Sequence, residues 1–138
     1  MISAIAAIGN NGQIGLNGGL PWPRHSDDMA FFRKITAGKI MIAGYRTRKS
    51  LVDIKWGLDR TLIGIGEGKN SKYYSDYMDM VIEENRDIII IGGAATYRKL
   101  ASHITTLYLS RINYKGPADT WFPIDAFTVA QIDNAVWR

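Results

Sequence analysis

The chain has 138 residues, 46% of them hydrophobic and 22% charged, the length and balance of a single soluble domain with a core of its own. It has no cysteine and only two histidines, His25 and His103, far apart in sequence, which excludes disulfides, thiolate nucleophiles and cysteine-bound zinc; no metal is expected. The net charge of +4 is scattered, and its densest run, Arg46-Thr47-Arg48-Lys49, has no interleaved aromatics, so a polyanionic ligand such as a phosphorylated cofactor is expected and nucleic acid is not.

Residues 2–8 are a continuous apolar run without a basic stretch before it, and read as a buried strand rather than an export signal. No apolar run approaches the roughly 20 residues of a membrane span, so no membrane partner is expected and the cytoplasm is the expected compartment. A loop over 9–24 carries five glycines and the sequence Leu20-Pro21-Trp22. A helix over 27–37 follows, with Ser26 as its expected N-cap, His25 as a solvated loop residue and Gly38 as the residue that ends it. A short strand over 39–43 stops at Gly44, and a short helix is expected over 46–52. A third strand over 60–65, a loop over 66–72 and a helix over 74–84 come next. Four consecutive isoleucines mark residues 87–91 as a strand buried on both faces, the pattern of a parallel sheet covered by helices. Gly92-Gly93 then leads into a helix over 94–102, a strand over 106–112 and a last strand expected over 127–132. Strand-helix alternation without repeats or linkers predicts one α/β domain over 1–138, with a mostly parallel central sheet and flanking helices.

Asp28, Phe32 and Thr36 are four apart and share a helical face with Met29 beside them. A carboxylate so placed either caps and charges the first helical turn or faces inward to hold a hydrogen-bonding heterocycle. Gly92-Gly93 is either a tight turn or a close backbone approach to phosphate at the carboxyl end of a strand. Arg60 is either a surface cation or a bidentate clamp for a carboxylate, and Trp22 is either core or a gate over a ligand.

Taken in order, these stretches resemble the dihydrofolate reductase family over nearly the whole chain. The resemblance rests on Ile5-Ala6-Ala7, Ile14-Gly15, Leu20-Pro21-Trp22, Asp28-Met29 with Phe32 and Thr36, Gly44 with Thr47, Ser50 and Leu51, Arg60, Ile91-Gly92-Gly93 with Tyr97, Leu107 to Ser110, and Asp119-Thr120 with Phe122-Pro123. It implies NADPH-dependent reduction of 7,8-dihydrofolate to tetrahydrofolate. By this resemblance Asp28 binds the 2-amino and N3 edge of the pterin and promotes protonation at N5, Ser110 orients Asp28, and Trp22 completes the catalytic group. Ile5, Met29, Phe32, Leu51 and Ile91 line the substrate, and Arg60 holds its glutamate α-carboxylate. Ala7, Ile14 and Gly15 belong with the nicotinamide and its closing loop. Gly44, Arg46, Thr47, Gly92, Gly93 and Tyr97 match cofactor positions, and Gly92-Gly93 implies the family's cis peptide.

Three departures from the family pattern stand out. Tyr45 occupies a position where the family commonly has an arginine toward the cofactor 2′-phosphate, and Ala95 replaces another cofactor-side arginine. Residues 53–59 lack the usual prolines before Arg60. The family's C-terminal antiparallel hairpin is expected to be shortened, which leaves a sheet edge exposed; a monomer is the default expectation, with a dimer or strand exchange at that edge as its alternative. Other readings are a pyrimidine reductase on the same fold, against which the helix acid with Phe32 and Thr36 argues, and a non-catalytic binding or structural protein, which has no need of an inward carboxylate.

Overall fold

The computed structural model describes residues 1–23, 25–51, 61–65 and 87–138. Arg60, the loop expected over 66–72 and the helix expected over 74–84 lie outside the described residues. In chain order the described elements are β1 (Ile2–Ile8), β2 (Gln13–Gly15), α1 (Ser26–Thr36), β3 (Ile40–Gly44), α2 (Tyr45–Ser50), β4 (Thr61–Ile65), β5 (Ile88–Gly92), α3 (Ala94–Leu100), β6 (Thr106–Arg111), β7 (Thr120–Trp121), α4 (Val129–Asp133) and β8 (Val136–Trp137).

Among the described residues six strands form the main sheet in the order β4-β3-β5-β1-β6-β8, and every adjacent pair is parallel. The isoleucine run explains itself here. Ile88 and Ile90 enter one apolar layer with Ala4, Ala6, Ile40, Ile42, Leu107 and Leu109, which α3 caps through Tyr97 and Leu100. Ile89 points the other way, with Ile5 and Met41, against Phe31, Phe32 and Ile35 of α1. Successive strand residues alternate faces, so a strand covered on both sides must be apolar at every position. The consequence for the site is topological. Connections run from β1 to one side of the sheet and then, after β5, cross to the other, which makes the carboxyl end of β1 the switch point where open α/β sheets bind ligands.

Two local expectations are corrected. The N-cap of α1 is His25, whose Nδ1 accepts from the Asp28 N–H at 3.3 Å; Ser26 is the first helical residue. The imidazole nitrogen reaches the third helical N–H as a cap hydroxyl or carboxylate does, which the preference for short polar caps does not anticipate. Gly38, at φ 74°, ends α1 as expected.

The strand expected over 127–132 is absent. Thr128 accepts from the Gln131 N–H at 3.2 Å while Gln131 Oε1 accepts from the Thr128 N–H at 2.8 Å, a capping box that turns this segment into α4. The Gln131 amide also donates to the carbonyls of Ala101 and Ile104 at 2.7 and 2.9 Å, which pins α4 beside the α3–β6 connection. The chain therefore returns through a crossover, and its last strand, β8, pairs parallel with β6 through Tyr108 with Val136 and Leu109 with Trp137. A short parallel strand stands where a shortened antiparallel hairpin was expected.

Candidate active site

A cavity of about 1400 Å³ opens at the carboxyl ends of β1, β3 and β5, at the switch point. β1 contributes Ile5 and Ala7 to its wall, the β2 segment Ile14 and Gly15, and α1 Asp28, Met29 and Phe32. From the β3–α2 corner come Gly44, Arg46, Thr47 and Leu51, and from the β5–α3 corner Ile91, Gly92, Gly93 and Tyr97. The structure thus gathers on one wall every expected site residue except Trp22, Ser110 and Arg60, the last of which is outside the described residues.

Asp28 sits in the first turn of α1, 9% exposed, where the helix dipole favours its charge. Among the described residues no hydrogen bond reaches its carboxylate, and its charged partner is Arg138, with a guanidinium nitrogen 3.8 Å from Oδ1. Ser110 is buried on β6, and its Oγ accepts from Arg138 Nε at 3.2 Å. The guanidinium therefore stands as the link between Ser110 and the acid. Trp22 is buried edge-on against Tyr114, ring centroids 5.6 Å apart, and its Nε1–H is a buried donor without an acceptor among the described residues. Leaving such a donor unpaired costs about 1–3 kcal/mol, which favours a site where a ligand or water supplies the acceptor.

The other part of the wall is built on glycine. The Gly92-Gly93 peptide is cis, as the resemblance implies. A Cβ on Gly44 would come within 2.5 Å of Thr96 Oγ1, and one on Gly93 within 3.1 Å of Thr47 Oγ1. The bare backbone of β3 and β5 is thereby presented to the cavity beside Arg46 and Lys99. Tyr97 stands behind it as a strut: its hydroxyl donates to the Ile5 carbonyl at 2.6 Å, and burial pushes it well above the ordinary phenol range, so it remains neutral.

Sequence reasoning passed over Thr96, Lys99, Asp119, Thr120 and Arg138. Asp119 lies within the matched Asp119-Thr120 stretch, so that motif carried a signal; Arg138 carried none. The Asn17 N–H donates to Asp119 Oδ2 at 2.9 Å, fastening the glycine loop to β7. That bond, the Thr120 hydroxyl at 3.0 Å and the charge of Arg46 hold Asp119 below the usual carboxylate range. A carboxylate depressed in the folded state contributes above its unfolded value and loses that contribution as pH falls through the folded one. Asp119→Ala is therefore expected to speed amide exchange at Asn17 by about three- to tenfold near neutrality. The difference from wild type closes as the pH falls below the usual carboxylate range, as NMR-detected exchange would show.

Among the described residues no helix is long and apolar enough to cross a membrane, and no group of three or more acidic or histidine side chains could hold a metal ion.

Comparison with known proteins gives this wall a context. A family model described as dihydrofolate reductase matches residues 1–136. The chain is 33% identical over 128 residues to a dihydromethanopterin reductase of Methylorubrum extorquens, covering 88% of this chain and 89% of that one. It is 32% identical over 135 residues to the type 8 dihydrofolate reductase of Escherichia coli, covering 87% of this chain and 79% of the relative. Among solved structures it resembles the dihydrofolate reductase of Enterococcus faecalis complexed with NADP(H) and RAB-propyl, with a TM-score of 0.77 and 24% identity, over 89% of this chain and 77% of that one. The match across residues 1–136 and the shared fold lead to one conclusion: this chain belongs to the dihydrofolate reductase family.

Proposed function

We propose that this protein reduces 7,8-dihydrofolate to 5,6,7,8-tetrahydrofolate with NADPH. The observation that carries the reading is Asp28: an inward, nearly buried carboxylate on the wall of a cavity whose other corner is bare glycine backbone flanked by cations. Family membership makes the chain an NADPH-dependent oxidoreductase. Its own residues fit that cofactor, because a Cβ would collide at Gly44 and crowd Thr47 at Gly92 and Gly93, which leaves bare backbone at that corner, and Arg46 and Lys99 supply charge suited to phosphate. Thr47 and Tyr97 complete that corner, with Ala7, Ile14 and Gly15 toward the nicotinamide.

When bound, NADPH supplies the hydride for pterin C6. The protein's part is binding, orientation and control of a proton. Asp28 accepts from the 2-amino and N3 positions of the pterin, two charge-assisted bonds that set the ring's register and favour proton delivery at N5. Ser110, joined to Asp28 through Arg138, backs this end of the site, Trp22 is assigned to it by the family resemblance, and Ile5, Met29, Phe32, Leu51 and Ile91 would exclude water along the ring and the benzoyl group. Arg60 is the proposed clamp for the glutamate α-carboxylate.

A second reading concerns the tail of the substrate. The 33% identical relative is named a dihydromethanopterin reductase rather than a dihydrofolate reductase, and the residues before Arg60 depart from the family's proline pattern. Oxidation of NADPH with dihydrofolate and with a tail-less 7,8-dihydropterin separates the two. Arg60→Gln is expected to raise KM for dihydrofolate about tenfold, the weight of one charge-assisted carboxylate contact, and to leave the tail-less substrate unchanged. Equal rates for both substrates in wild type, with no effect of Arg60→Gln, would show that the dihydrofolate tail is not recognised and favour the second reading.

A further inference from the structure

The main chain of Arg138 is tied to the sheet: its N–H donates to the Leu109 carbonyl at 2.8 Å, directly after β8. The strand that delivers it is held in turn by Arg111, whose guanidinium lies 4.9 Å from the ring centre of Trp137. Nε then donates to buried Ser110 at 3.2 Å, and a terminal nitrogen lies 3.8 Å from Asp28 Oδ1, with the Arg138 side chain 26% exposed and that of Asp28 12% exposed. Asp28 lines the cavity and Arg138 does not, and among the described residues no hydrogen bond from Arg138 reaches the carboxylate, so its acceptors stay open. Among the described residues, the other ionisable groups near Asp28 in sequence are exposed: Asp27 in the same helical turn, and His25, whose Nδ1 already accepts the Asp28 N–H.

We infer that Arg138 is a specificity-determining residue, whose guanidinium balances part of the Asp28 charge and so biases the site toward a neutral pterin edge over a cationic amidinium. The inference rests on the reading of Asp28 as the pterin-binding acid. A neutral pterin needs acceptors from Asp28, which the arginine leaves in place. A protonated 2,4-diaminopyrimidine offers the same donors plus a positive charge, and a second cation across one carboxylate repels it.

The test is fluorescence titration of wild type, Arg138→Gln and Arg138→Lys with 2,4-diamino-5-benzylpyrimidine and with folate. The diaminopyrimidine is titrated below and above the pH at which its ring protonates, located from its own absorbance. Arg138→Gln keeps a side-chain donor for Ser110 and removes the charge. It is expected to bind the protonated diaminopyrimidine about tenfold more tightly, roughly 1.4 kcal/mol, while folate and the unprotonated ligand shift by less than about threefold. Arg138→Lys retains wild-type selectivity. Equal changes for both ligands, no change, or a lysine variant that behaves like the glutamine one would overturn the inference and leave Arg138 a structural role. Failure of folded wild type to bind either ligand is a different result, because it removes the pterin reading itself and this inference with it.

Discussion

On the proposed function, Asp28→Asn is expected to lower kcat/KM for dihydrofolate by about a hundred- to ten-thousandfold at neutral pH, the range over which a positioned proton-transfer group contributes. Asparagine has nearly the same shape and still offers one acceptor, so the variant can seat a ligand. What it lacks is the charge on both contacts, the second acceptor, and the negative charge proposed to draw a proton toward N5. The fold is expected to survive. The substitution gives up a helix-dipole contact and a partly exposed ion pair with Arg138 at 3.8 Å, together about 1 kcal/mol. A melting temperature within a few degrees of wild type, measured with the activity, therefore separates lost chemistry from lost structure. The pH dependence carries a sign as well. Protons from solution replace what Asp28 promotes, so the deficit shrinks as pH falls and widens as it rises. A variant that keeps wild-type turnover at neutral pH would remove Asp28 from the mechanism.

Much of this site was legible because its chemistry is tied to local sequence. Asp28, Met29 and Phe32 follow from one helical turn, and Gly44 with Gly92-Gly93 from the places where strands end. The unbroken isoleucines announced a parallel sheet, because only a strand covered on both faces tolerates apolar residues at every position. What escaped depends on pairing over long separations. The segment after Phe127 has a strand-like apolar pattern, and it becomes a helix because Thr128 and Gln131 cap each other and Gln131 reaches the carbonyls of Ala101 and Ile104. Arg138 is 28 residues from Ser110 and meets it only after that helix directs the chain back along β6. No composition or spacing rule joins two such residues. Asp119 falls between these cases: its motif was visible, whereas its bond to the Asn17 amide depends on the β2–β7 ladder.

The glycine corner yields the other large effect. Gly92 has φ 141°, a backbone region L side chains rarely adopt, and a Cβ there would meet Thr47 Cγ2 and Oγ1 at 3.3 Å. The residue also sits where the β3–β5 register shifts, opposite Ala43, so the backbone has little freedom to rotate away. Strain of this kind costs on the order of 1–3 kcal/mol, and relief comes only by displacing the wall that faces the proposed cofactor. Gly92→Ala is therefore expected to weaken NADPH binding by about ten- to a hundredfold, with folate binding at the Asp28 end changed by less than about threefold. Two causes act together and can be separated. Adding Thr47→Ala, read against Thr47→Ala alone, removes both contacts and leaves the φ requirement in place. Recovery of most of the affinity in the double variant would assign the loss to the contact with Thr47; persistence of the loss would assign it to the backbone. If Gly92→Ala binds NADPH as wild type does, the cofactor does not run along this edge, and the division of the cavity into a pterin end at Asp28 and a nucleotide end at Gly92 fails.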